Sequence, residues 1–111
     1  MIYTPDEWTI VKITGTDPHY RIFASWRGGY LNGDSWRLNS GVVAVEVDED
    51  YYAFKGHSGS DYYCHKEFYG ISSYYNGSVL AQYIEKSGGK MEELREMPED
   101  LINFDWIISD D

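Results

Sequence analysis

The chain has 111 residues, is 42% hydrophobic and 17% aromatic, and carries one cysteine and a formal net charge of -10. That size fits a single domain over 1–111 with one modest core, and so many aromatic residues exclude a disordered acidic tail. Lys and Arg clusters that would meet phosphates directly are lacking, and no apolar run approaches the roughly 20 residues of a membrane helix.

Cys64, alone in the sequence, excludes an internal disulfide and fits a reducing compartment. The segment Met1–Asp6 has neither the basic region nor the apolar run of a signal peptide, so a soluble, cytoplasmic protein is expected. The charge is uneven. Residues 1–45 hold four acids and four bases, whereas residues 46–111 hold fifteen acids against five bases, so the second part carries the whole excess. Such a field steers association and selects partners but does not specify a fold.

In chain order, Trp8–Thr14 reads as a first strand, broken by Gly15-Thr16-Asp17-Pro18. His19–Trp26 is the second, with Tyr20, Ile22, Ala24 and Trp26 on one face and Arg21, Phe23 and Ser25 on the other. Gly28-Gly29 and Asn32-Gly33-Asp34 bracket Tyr30-Leu31 as turns, and Ser35–Asn39 follows as a short strand. In Gly41–Val47 strict alternation puts Val43, Val45 and Val47 on one side and Val42, Ala44 and Glu46 on the other. The acidic turn Asp48-Glu49-Asp50 leads into Tyr51–Lys55, and Gly56–Ser60 leads into Asp61–Phe68. After Gly70 the period changes. Val79, Leu80, Tyr83 and Ile84 form one stripe of a helix near residues 74–87, capped by a Ser or Asn between 73 and 78 and stopped by Gly88-Gly89. Lys90–Met97 reads as a last strand before Pro98, and Leu101–Ile108 as an apolar tail whose Ile102, Phe104 and Trp106 share a face if extended. The expected fold class is α+β: a curved antiparallel sheet of five to six strands with one principal helix packed on it.

Chemical motifs are sparse. Glu46, Asp48, Glu49 and Asp50 crowd one hairpin turn, which is the composition of a solvated turn and not of two carboxylates opposed across a cleft. Cys64 and His65 are neighbours and diverge in a strand, so with His57 and His19 they make no zinc set, and no metal or cofactor is expected. His57, Ser58, Ser60 and Asp61 share one turn without the geometry of a nucleophilic triad. Asn76-Gly77-Ser78 matches a glycosylation sequon, without consequence in a cytoplasmic chain. The aromatic residues leave more room for function. Tyr51-Tyr52, Tyr62-Tyr63 and Tyr74-Tyr75 each put neighbours on opposite faces if extended, and a small domain cannot bury them all.

Between Asp48 and Asp100 the chain resembles small acidic proteins of tailed bacteriophages. The residues that carry the likeness are Asp50-Tyr51-Tyr52-Ala53-Phe54-Lys55-Gly56, Ser58-Gly59-Ser60, Tyr63-Cys64-His65-Lys66, Tyr69-Gly70 and Met97-Pro98-Glu99-Asp100. The resemblance implies a phage accessory gene, and such proteins are often inhibitors of host restriction or CRISPR–Cas machinery, some of them resembling DNA in charge.

Together these features lead to an expected non-enzymatic inhibitor, of the anti-CRISPR or DNA-mimic type. It would bind a basic nucleic-acid-handling host protein, such as a nuclease or CRISPR effector. The expected contact residues are Glu46, Asp48, Glu49, Asp50, Tyr51, Tyr52, Glu92, Glu93 and Glu96. A virion assembly protein would instead form a symmetric oligomer such as a homodimer, and a small-ligand binder would show a tyrosine-lined pocket with convergent polar groups.

Overall fold

A computed structural model describes residues 1–28 and 33–107. Among them are eight strands and one helix: β1 (Ile2–Tyr3), β2 (Glu7–Ile13), β3 (His19–Trp26), β4 (Ser35–Leu38), β5 (Val42–Val47), β6 (Tyr51–Gly56), β7 (Asp61–His65), α1 (Tyr74–Lys86) and β8 (Met91–Leu94). The fold is α+β, but the strands form two sheets of four and not one sheet of five to six. The first sheet runs β1-β7-β6-β5 and the second β4-β3-β2-β8. All pairings are antiparallel except that of β1 with β7. The expected turns around Tyr30-Leu31 fall, for residues 29–32, outside the described residues.

The split occurs at Asn39. Its backbone N–H donates to Ile22 O at 3.0 Å, and its buried side-chain Oδ1 accepts from Ile22 N at 2.8 Å and Gly41 N at 3.4 Å. These bonds close the β3–β4 ladder. Gly41, at φ +130°, then takes a backbone angle that other residues rarely adopt and sends the chain into the other sheet. Alternation says which side of a strand is buried, not which strand lies beside it. The single-sheet expectation fails for that reason.

Three layers result. Trp8, Ile10, Ile22 and Ala24 of the second sheet pack on Val42, Phe54, Tyr62 and Cys64 of the first, and Leu101 and Trp106 of the tail complete this core. The opposite face of the second sheet presents Val11 and Phe23 to Leu80 of α1, with Trp36, Leu38, Val79, Ile84 and Met91 around them. β2 is therefore covered on both sides, and Trp8, Thr9, Ile10 and Val11 are all buried. The helix is capped by Ser73, whose Oγ accepts from Asn76 N at 3.2 Å, and ends where Gly88 adopts φ +67°. Asn76 is wholly buried, its Nδ2 donating to Trp26 O and Ser72 Oγ, so the sequon lies inside the fold.

Two strand readings need correction. The β5–β6 register slips between Val42 and Ala44, and the bulge breaks the alternation there: Val42 joins Val45 on the core side, while Val43 is exposed. The tail is not a strand. Asp100 accepts from Asn103 N at 3.3 Å and Asn103 Nδ2 at 2.7 Å, so the chain turns there; Leu101 and Trp106 go inward while Ile102 is 62% exposed. Tyr20 N donates to Trp106 O, and Ile107 bridges to His19; Ile108 lies outside the described residues.

Candidate functional site

The nine expected contact residues fall on two separate sheets. Glu46 lies on the open face of the first sheet, where Lys55 Nζ is 3.8 Å from its carboxylate and 2.9 Å from that of Asp61. The hydrogen bond to Asp61, opposed by desolvation, raises the Lys55 pKa above its ordinary value. Asp48, Glu49 and Asp50 form the exposed β5–β6 turn, tied by Glu49 N donating to Asp48 Oδ1 at 2.6 Å and Asp48 N donating to Tyr51 O at 2.9 Å. Tyr51 and Tyr52 diverge as an extended pair must. Tyr52 turns inward, its ring 6.0 Å from Trp8 and from Phe54, with the Lys66 ammonium 5.4 Å above it. Tyr51 turns outward against His65 at 5.2 Å. The more exposed tyrosines are Tyr74, Tyr75 and Tyr83 on α1.

Glu92 and Glu93 lie on β8, at the edge of the second sheet, and Glu96 follows it. With Ile84, Met91, Leu94 and Arg95 they line a groove of about 570 Å³. Three glutamates, one arginine and three apolar side chains share this lining. β8 is hydrogen-bonded to β2 alone, in a register that sets Glu92 opposite Lys12 and Glu93 opposite Val11. Thr14 N donates to Lys90 O, so the backbone of residues 90, 92 and 94 faces β2 and that of Met91 and Glu93 faces outward. Met91 N is taken by Ser87 Oγ at 3.1 Å. The Glu93 backbone remains on the open edge of the sheet.

One residue with no local feature to mark it holds this edge in place. The Tyr69 hydroxyl sits between β2 and β8, accepting from Ile10 N at 3.1 Å and donating to Leu94 O. Burial pushes its pKa up to about 12, the Ile10 bond opposes the shift, and the charge of Glu93 adds to it. Tyr69 replaces a direct ladder bond, which no local pattern announces.

Cys64 and His65 point to opposite faces, as neighbours in a strand do. The Cys64 thiol is buried and its pKa is pushed well above the ordinary value by desolvation, which makes it a poor nucleophile. The His65 ring stacks on Phe68 at 4.3 Å. Among the described residues no three His, Cys, Asp or Glu side chains converge as a metal site.

A second concavity, of about 490 Å³, opens where the β2–β3 turn, the β4–β5 crossing and the β6–β7 turn meet. His19, Arg21, Ser40 and His57 line it together with Asp17, Val42, Val43 and Ile107. It is not lined by tyrosine. These residues are far apart in sequence, and only the crossing at Asn39 brings them together.

Comparison with protein-family models, curated proteins and solved structures finds no match to this chain.

Proposed function

We propose that this chain is a non-enzymatic binding protein that captures a basic partner through the β8 groove and the acidic β5–β6 turn. The favoured partner is a nucleic-acid-handling host protein, such as a nuclease or CRISPR effector, which the chain inhibits as a phage product acting in the host cytoplasm. One observation carries this reading: Glu92, Glu93 and Glu96 outnumber Arg95 in a groove that also exposes Ile84, Met91 and Leu94, beside an open strand edge. Acids on an edge strand repel the strands of most other proteins. A Lys- or Arg-rich extended segment is the exception, because it pairs its backbone with Glu93, lays apolar side chains over Ile84 and Met91, and satisfies the glutamates. The Asp48–Asp50 turn adds long-range attraction.

The test uses surface plasmon resonance with an immobilised Lys/Arg-rich peptide, and a polyglutamate peptide as control. Wild-type protein is expected to bind the basic peptide alone, more weakly as salt shortens screening to about 8 Å near physiological strength. Reversal of Glu92, Glu93 and Glu96 to Lys should abolish binding. Reversal of Asp48, Glu49 and Asp50 should chiefly slow association. Unchanged binding in the groove variant would overturn the reading.

A further inference from the structure

We propose that the concavity around Arg21 is a binding site for a small oxyanion, a carboxylate or phosphate monoester, that carries a compact apolar group. This site is separate from the β8 groove and does not depend on its role.

The observations begin with how Arg21 is held. Arg21 Nε donates to His19 Nε2 at 2.8 Å, and His19 Nδ1 lies 2.6 Å from the carbonyl oxygen of Asp17. An imidazole with its proton on Nδ1 satisfies both bonds, so His19 is fixed between the two partners. The relay orients the guanidinium through Nε and leaves its terminal N–H groups for a further acceptor. Asp17 takes φ +55°, a left-handed angle unusual outside glycine, and this conformation places its carbonyl before His19. Gly41 closes the other side of the same ring. A Cβ there would meet His19 Cδ2 at 3.3 Å, and the Gly41 carbonyl accepts from His57 N at 2.8 Å.

The opposite wall supplies more donors. Ser58 N donates to Ser40 Oγ at 2.9 Å, which leaves the Ser40 hydroxyl proton free to donate. His57, exposed on the β6–β7 turn, offers a ring N–H. Pro18, Val42, Val43 and Ile107 form the apolar part of the lining. Among the described residues, Arg21 is the one permanent cation of the lining and Asp17, which is exposed, is the one carboxylate. Oriented N–H and O–H donors beside a small apolar surface fit an organic anion and not a cation.

NMR at constant pH and ionic strength tests this, with inorganic phosphate and benzoate titrated separately against the ring resonances of His19, His57 and His65. His65, stacked on Phe68 and Tyr51, is the internal control. Saturable shifts at His19 and His57 with either anion, and none at His65, support the site; the anion that binds tighter distinguishes phosphate from carboxylate recognition. Arg21→Gln should weaken binding by about tenfold, the size expected for one lost charge-assisted contact. His57→Gln, on an exposed turn, should also weaken it and controls for any local disturbance in the Arg21 variant. Asp17→Asn keeps a residue tolerant of the left-handed angle, removes the rim charge and should tighten binding. Parallel, non-saturating shifts at all three histidines, or weaker anion binding by Asp17→Asn, would overturn the proposal.

Discussion

The second sheet is covered on both faces, by the first sheet on one side and α1 on the other, whereas the first sheet keeps one face open to water. Their strands differ accordingly. In β2 the run Trp8-Thr9-Ile10-Val11 is buried without a break, while β5, β6 and β7 carry Glu46, Lys55, Asp61 and Tyr63 outward and Phe54, Tyr62 and Cys64 inward. A strand between two layers buries both of its faces and is therefore mostly apolar, with no charged side chain in the run from Trp8 to Val11, whereas a strand on the outside accepts an ion pair on one face. The candidate sites follow the same division. The β8 groove lies at the exposed margin of the covered sheet, and the Arg21 cleft lies where the chain passes between the sheets.

The largest effects should come from truncation in the covered sheet. Phe23→Ala, beneath the helix, should cost about 3–5 kcal/mol and Ile10→Ala about 2–5 kcal/mol in urea unfolding. Val43→Thr, on the open face, should stay within about 0.5 kcal/mol. Equal losses at Val43 and Ile10 would remove the distinction between the sheets.

A smaller effect is expected at Tyr69. Tyr69→Phe leaves Ile10 N–H and Leu94 O without their shared partner and should cost about 1–3 kcal/mol, with loss of amide protection at Ile10. Its pH dependence has a definite sign. The folded pKa of about 12 exceeds the ordinary value of 10.0, so this stabilisation is fully present below pH 10 and is lost as pH rises toward 12. The phenylalanine variant should therefore unfold less steeply over that window, although Tyr62, also raised by burial, retains part of the slope. Identical alkaline profiles would show that Tyr69 does not seal the β2–β8 seam.

The smallest effect lies in the tail, outside both sheets. Hydrogen bonds from Asn103 lower the pKa of Asp100, so the stability it contributes is present above the ordinary carboxylate range and is lost as pH falls through the depressed folded value. Asp100→Ala should remove that slight acid dependence, read by NMR titration of the carboxyl and by thermal unfolding in acid. It should leave the core of either sheet intact.

Much of the secondary structure was legible along the chain. The faces of β3, the divergence of Tyr51 from Tyr52 and of Cys64 from His65, and the helix between Ser73 and Gly88 all follow from period and capping, which act over a few residues. The acidic turn was legible for the same reason, since adjacent carboxylates in a hairpin stay in water. β5 was misread at Val42, set opposite Val45, because a bulge adds one residue that no composition signal marks. The tail was misread at Ile102 because the Asp100–Asn103 bonds outweigh alternation. His19, Arg21 and His57 could not be grouped from their spacing, and Tyr69 had no local feature to distinguish it from the other ten tyrosines.

By itself the sequence determined the faces of the regular strands β3, β6 and β7, the helix and its ends, and the concentration of acid after residue 45, because these depend on local sterics and on charge counted along the chain. Only the tertiary structure decided that there are two sheets, that β2 is enclosed, that Glu92, Glu93 and Glu96 share a groove with Ile84 and Met91, and that Arg21, Ser40 and His57 line one cleft. Each of these depends on which distant segments share a boundary. That choice is made by the fit of whole faces and by single long-range bonds such as Asn39 to Ile22, whose partners are 17 residues apart.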